Sequence, residues 1–244
     1  MCPCLVVSDP DRFERDESRA VEIGMSDEQI LDSIELLWDG EIAVAVNKPA
    51  GLPTQAPPGV VSLESILRRQ FADRGDYLAF PHRLDRPVGG VMVVATRKRA
   101  AKLLSEQFAA RKVTKQYRAV VRGRVEGQTR WCDDLTKVPG EARVVVAPPN
   151  HPEAKTAVTV VEAVSYDPAK DQTILKLCPE TGRMHQLRVQ ASHRGHPIIG
   201  DVLYGGPPAD PKSIMLVARS LSFHDPRNGK RVTVTGSEPF PQGV

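Results

Sequence analysis

The sequence predicts an α+β fold built around a mixed, mostly antiparallel sheet. Two observations carry this expectation: many short Val- and Thr-rich runs separated by turn residues, and few stretches of helical periodicity between them. The first strand pair comes from residues 34–38 and 42–46, two apolar runs joined through Asp39-Gly40, a favourable turn pair. Asn47-Lys48-Pro49-Ala50-Gly51-Leu52-Pro53 then breaks the strand. Ser62 can cap a short helix running to about Phe71, with Glu64 in its first turn. Residues 90–95 read as a buried strand. Residues 98–112 read as a helix, because Ala101, Leu104 and Phe108 share one face and the opposite face is basic. Residues 113–121 return as a strand that Gly123 closes, and 129–136, 142–147, 156–165 and 173–177 follow as further strands. A second basic helix is expected over 184–193, starting close after Gly182, and strands at 213–223 and 231–234 complete the sheet. The Pro-rich breaks at 148–152 and 205–211 read as surface loops, since strand patterns resume on both sides.

The 244 residues suit one large domain. Residues 1–31 read as a flexible charged N-terminal tail with little to bury, 32–236 as the folded domain and 237–244 as a short C-terminal tail. No apolar run approaches the roughly 18 residues of a membrane span. The N-terminus has no basic start and soon becomes charged, unlike a signal peptide, so a cytoplasmic location is expected. The four cysteines, at 2, 4, 132 and 178, form no paired spacing and read as reduced thiols. Histidines 185, 193 and 196 with Cys178 match no paired metal-ligand pattern, so no metal is expected. There is no GxxxxGK[ST] loop, and no GxGxxG follows a strand, so no nucleotide cofactor is expected.

Charge is unevenly placed. Residues 82–124 carry twelve Lys or Arg against Asp85 and Glu106, a local charge of +10 in a chain of net charge +3, so the remainder is −7. Such an excess is either a phosphate-binding footprint or a solvated helix face with ordinary strand ends.

Three segments bear chemistry. In Pro81-His82-Arg83-Leu84-Asp85-Arg86, two arginines flank a carboxylate on a loop shaped by Pro87 and Gly89-Gly90. Cations favour the charged form of a carboxylate, which suits a nucleophile or electrostatic partner; the same residues would also make an ordinary loop salt bridge. In Thr181-Gly182-Arg183-Met184-His185-Gln186-Leu187-Arg188, the glycine permits a tight turn into a helix whose start favours anions. Arg188 is placed to reach back to a carboxylate, unless the helix merely packs. In Lys115-Gln116-Tyr117-Arg118, strand alternation points Lys115 and Tyr117 the same way, so the tyrosine can stack on a base or move a proton, or else is a half-buried strand residue.

Taken together, these segments resemble the RluA family of pseudouridine synthases. The chain from Val46 to Leu52 is similar to the family's opening motif, and His82-Arg83-Leu84-Asp85-Arg86 followed by Gly90 to its catalytic motif. Lys115-Gln116-Tyr117 looks like the second motif. Thr181 to Arg188, followed by Gly195 to Asp201 and Leu203-Tyr204-Gly205, looks like the third. Met215-Leu216 and Phe223 to Pro226 resemble the closing strand, and the likeness spans about residues 34 to 235. Three positions depart from the family's pattern: Val88-Gly89 replace its usual Thr-Ser, Gln190 replaces a histidine, and Val217-Ala218 replace His-Ala.

The resemblance implies a pseudouridine synthase fold with flanking helices and a central RNA-binding cleft. It implies isomerisation of uridine to pseudouridine in ribosomal or transfer RNA, without a cofactor, by a monomer that does not engage membranes. Asp85 would be the essential carboxylate, Arg188 its salt-bridge partner, and Tyr117 the residue that stacks on the base and shuttles a proton. Leu187 would pack beneath the ring. Arg83 would contact RNA, and His82, Arg86, Arg183 and Lys115 would line the substrate site. A catalytically silent RNA-binding or ribosome-assembly protein of the same fold is the alternative. Only about 33 residues precede the first strand, short for an S4-type RNA-binding domain, so site choice is expected to rest on the catalytic domain itself.

Overall fold

The computed structural model describes residues 33–209 and 213–237. The expected N-terminal tail, Cys2 and Cys4 lie outside these, as do residues 238–244 and part of the second Pro-rich break. Among the described residues there are ten strands and three α-helices. In chain order they are β1 (Leu36–Asp39), β2 (Ala43–Lys48), α1 (Leu63–Gln70), β3 (Gly89–Ala95), α2 (Lys98–Ala109), β4 (Thr114–Arg122), β5 (Gln128–Lys137), β6 (Val144–Val146), β7 (Lys155–Asp167), β8 (Gln172–Pro179), α3 (Gln186–His193), β9 (Leu216–His224) and β10 (Arg231–Thr235). The strands form one sheet in the order β1-β2-β3-β9-β4-β8-β7-β5-β6, with β10 also on β9. Every pairing is antiparallel except β3 with β9. The α+β architecture expected from the sequence is therefore present. No helix among the described residues is long and apolar enough to cross a membrane.

The join between β3 and β9 positions everything else. It consists of two residue pairs, Gly89 with Val217 and Gly90 with Ala218. Beyond it β9 pairs with β10 through Ser220–His224. On one side, α2 packs Ala100 and Leu104 over a core that includes Val91 and Val93 of β3 and Leu221 and Phe223 of β9. On the other side, a second buried cluster joins Leu135, Val144 and Ala157 to Val189 of α3 and Tyr204. β4 links the halves by pairing with both β9 and β8. All seven residues of β3 are buried, which explains its continuous apolar composition.

The helices begin and end for local reasons. Ser62 caps α1 in a capping box with Ser65, as its hydroxyl accepts from the Ser65 N–H. α2 stops at Ala109, three residues earlier than expected, because the chain turns left-handed at Arg111 (φ 55°). α3 is corrected more substantially: it starts at Gln186, after His185 takes a left-handed conformation (φ 51°) that no helix continues through. The loop ahead of it is tied down by the Gln186 side chain, whose Oε1 accepts from the Thr181 hydroxyl and the Arg183 N–H. Nor is α3 an amphipathic surface helix, since Gln186 to Ala191 are all buried. Arg188 thus lies in the first turn of α3.

At Gly90 (φ 114°), an added Cβ would lie 2.3 Å from the Ala218 carbonyl oxygen. Gly90→Ala is therefore expected to lower stability by at least about 2 kcal/mol in urea unfolding, since it combines backbone strain with a clash at the join.

Candidate active site

The join places the loop from Pro81 to Val88 at the mouth of a cleft of about 630 Å³. Its walls come from this loop, the end of α2, β4 and residues 179–188. Asp85 lies in it, and its main partner comes from 103 residues away: Arg188 Nη1 donates to Asp85 Oδ2 at 3.3 Å. Arg188 is almost wholly buried, and its other face is held by Asp201, with Nε and Nη2 donating to the two carboxylate oxygens at 2.7 Å each. Asp201 is itself 1% exposed. Burial opposes the Arg188 charge, but the hydrogen bonds and attraction from Asp201, then from Asp85, outweigh it and hold the guanidinium above its ordinary pKa.

Lys115 and Tyr117 both reach the cleft from β4, as alternation requires. The β4–β9 pairing slips between Gln116 and Tyr117, a bulge of the kind that re-aims side chains beside functional sites. Burial, then the Asp85 charge, raises the Tyr117 hydroxyl well above the usual phenol range. In the free enzyme it therefore stays protonated near neutral pH, which suits a hydrogen-bond donor and stacking surface. Burial, then the Arg111 charge, lowers Lys115 to about 8, and its Nζ donates to the Thr181 carbonyl at 3.0 Å.

His82 lines the cleft, stacked on Phe108 with ring centroids 4.6 Å apart. Its Nε2 accepts from the Val93 N–H, and burial, then the Lys115 charge, pushes it down to about 3, so it is a neutral ring. Leu187, 6% exposed, lies beside Arg188 in the lining, and Arg83 and Arg183 also face the cleft. Arg183 Nε donates to the Thr156 carbonyl at 3.1 Å. Arg86 departs from its expected place. It does not line the cleft; its Nε donates to the Gly51 carbonyl, and its own carbonyl accepts from the Gly51 N–H. It ties the Asp85 loop to the opening segment.

Four further residues escaped the sequence reading. Lys48 is 1% exposed, and its Nζ donates to the carbonyls of Pro49, Leu52 and Arg86. Burial lowers it to about 7, against the pull of Asp85. Asp201, His185 and Tyr204 surround the Asp85–Arg188 pair. Asp201 and Tyr204 were marked only by membership of the quoted motifs, and His185 also by a histidine grouping that matches no metal-ligand pattern.

The three departures from the family's pattern find structural explanations. Val88 is buried, and the loop closes through its backbone N–H to the Asp85 carbonyl at 3.0 Å, without side-chain hydroxyls. Gly89 and Val217 are register partners, so two of the altered positions face one another. Gln190 is fully buried. Its Oε1 accepts from the Thr159 hydroxyl, and its Nε2 donates to Asp133 and the Ala157 carbonyl, fixing α3 to β5 and β7.

Residues 42–193 match the family described as RNA pseudouridylate synthase. The chain belongs to the RluA family of RNA pseudouridine synthases. It is 34% identical to the tRNA pseudouridine synthase C of Yersinia pestis over 233 residues, covering 86% of this chain and 89% of that protein. It is equally similar, at 34% over 201 residues, to the dual-specificity RNA pseudouridine synthase RluA of Vibrio vulnificus (strain CMCP6), covering 80% and 79%. The solved structure of human RNA pseudouridylate synthase domain containing 1 superposes with a TM-score of 0.74 at 28% identity, covering 86% of each chain. The enzyme is therefore a pseudouridine synthase, an isomerase acting on RNA.

Two outcomes follow. Asp201→Ala strips buried Arg188 of its bidentate partner and leaves it only the longer contact to Asp85, so it is expected to cost about 3–5 kcal/mol and lower Tm by about 10 °C in calorimetry. Lys115 is mostly a cation below about pH 8 and loses its charge above it. The KM for RNA is therefore expected to rise about fivefold between pH 7 and 9 in steady-state kinetics, with Lys115→Arg flattening the rise.

Proposed function

We propose that this enzyme isomerises particular uridines of transfer or ribosomal RNA, with Asp85 as the reacting carboxylate. One observation carries the reading: Asp85 faces a cleft of nucleoside size while buried Arg188, anchored by Asp201, holds one of its oxygens. Breaking the N1–C1′ bond creates positive charge at C1′, which a carboxylate at that position stabilises or captures. The base then turns, C5 bonds to C1′, and the proton lost at C5 is matched by one gained at N1. No atom is added overall, so the site has no need of an activated water.

The remaining residues divide the work. Tyr117 offers a ring for stacking and a retained hydroxyl proton for a uracil carbonyl. Leu187 supplies apolar contact under the ring. Arg83, exposed at the mouth, contacts RNA and takes up the space of the extruded base, and Arg183 and Lys115 supply positive charge. Extruding a base costs a few kcal/mol. Phosphate contacts offset this cost, and the exposed Lys98, Arg99 and Lys102 of α2, with Arg111 and Lys112 at its end, form a basic surface running to the cleft. The transfer-RNA and ribosomal-RNA alternatives rest on relatives named tRNA pseudouridine synthase C and ribosomal large subunit pseudouridine synthase C.

Asp85→Asn is expected to reduce isomerisation by about 10³-fold or more while leaving RNA affinity nearly intact. Undiminished activity would remove the mechanism. Pseudouridine maps of total RNA from cells with and without the gene are expected to differ at one or a few uridines, and these identify the substrate.

A further inference from the structure

A chain of contacts beneath the cleft involves two residues to which the reading above assigns no role. The Val144 N–H donates to the Tyr204 hydroxyl oxygen at 3.0 Å. That hydroxyl lies 2.9 Å from His185 Nδ1, and His185 Nε2 lies 3.7 Å from Asp85 Oδ2. The Arg188 guanidinium sits over the Tyr204 ring, 5.0 Å from its centroid, and the His185 ring meets the same tyrosine edge-on. His185 holds this place at a left-handed backbone position that non-glycine residues seldom take.

The Asp85 carboxylate selects the tautomer. The Tyr204 oxygen already accepts from Val144, so its single proton is free to go to His185 Nδ1. A neutral imidazole accepting at Nδ1 carries its own proton on Nε2, directed at Asp85. The opposite tautomer would set a lone pair against the carboxylate. The groups facing His185 are Asp85, Arg188, Asp201 and Tyr204. Burial disfavours the imidazolium, Asp85 favours it, Arg188 disfavours it and Asp201 favours it, and the balance lies below the ordinary histidine value. The ring is therefore neutral at pH 7.

We propose that His185 is a positioning residue for Asp85: its Nε2–H, together with Arg188 Nη1, claims Oδ2 and leaves Oδ1 as the atom presented to the sugar. Both cleft-side donors approach the same oxygen, and among the described residues no hydrogen bond reaches Oδ1. At 3.7 Å the histidine contact is open in the free enzyme. It closes when the nucleoside presses on Asp85, as catalytic hydrogen bonds do on substrate binding. Tyr204 acts one step further out by holding the tautomer. This proposal rests on the reading of Asp85 as the reacting carboxylate.

Two substitutions separate positioning from a structural role. In His185→Gln the amide nitrogen reaches the place of Nε2 and restores a donor toward Asp85. In His185→Asn the amide reaches only the place of Nδ1, which keeps the Tyr204 bond and loses the donor. Asparagine also tolerates the left-handed backbone better than glutamine, so stability alone would favour it. The assay is tritium release from [5-³H]uridine-labelled total RNA of cells lacking the gene, with rates taken per folded molecule. The expected result is a glutamine variant within about threefold of the parent kcat, and an asparagine variant about 30-fold slower with KM within twofold. A folded asparagine variant with the parent kcat, one whose loss lies in KM, or one as fast as the glutamine variant overturns the proposal. If the glutamine variant does not fold, the kcat and KM of the folded asparagine variant decide by the same criteria. Asp85→Asn is assayed alongside. Full activity there removes the reading of Asp85 and this proposal together, whereas an inactive Asp85→Asn beside a fully active His185→Asn removes this proposal alone.

Discussion

The structure depends on one buried guanidinium shared by two carboxylates. Arg188 is bidentate to Asp201 and uses its remaining nitrogen on Asp85. An unpaired arginine at this depth would be severely destabilising, so neither carboxylate is a free choice. The arrangement also dictates the surrounding backbone. α3 must be buried for Arg188 to reach inward, and its other polar residues, Gln186 and Gln190, are accordingly satisfied by internal hydrogen bonds. The entry to α3 must be abrupt, which the left-handed turn at His185 provides.

The sheet supplies the complementary constraint. Its halves have separate buried clusters and are linked by β4, while β3 and β9 join within one half over two residue pairs, where glycine permits backbones to touch. The Asp85 loop enters the sheet at that seam, and Lys48 and Arg86 tie it to the segment after β2. β4, which pairs on both sides, carries Tyr117 and Lys115 to the same place. A carboxylate from one half and its cation from the other are thus held across a cleft whose width the sheet sets. Positive charge lies at the rim and a protonated tyrosine within.

What was legible in the sequence was what local pattern records. Strand composition yielded the sheet, and the order of short motifs yielded Asp85, Tyr117, Lys115 and Arg188. The residues missed are those whose meaning lies in a distant partner. Nothing local marks Asp201 as the anchor of an arginine 13 positions earlier, or Tyr204 as the hydroxyl beneath a histidine. Lys48 was legible only as part of the segment that breaks the strand, since lysine is seldom buried; three carbonyls converging from two loops bury it here. Arg86 was misplaced because adjacency in sequence to Asp85 says little about direction on a tight loop. The start of α3 was misplaced because the glycine drew attention to 182, whereas the Gln186 side chain ties the turn.

The central claim is that Asp201 acts on Asp85 solely by holding Arg188. Single-turnover rates of Arg188→Gln, Asp201→Asn and the double variant, each per folded molecule, test it most directly. The account predicts strong non-additivity: Asp201→Asn slows the parent enzyme but adds nothing once Arg188 is gone, so the double variant matches Arg188→Gln. Additive losses would contradict it, because Asp201 would then act on the reaction by a route that does not pass through the arginine.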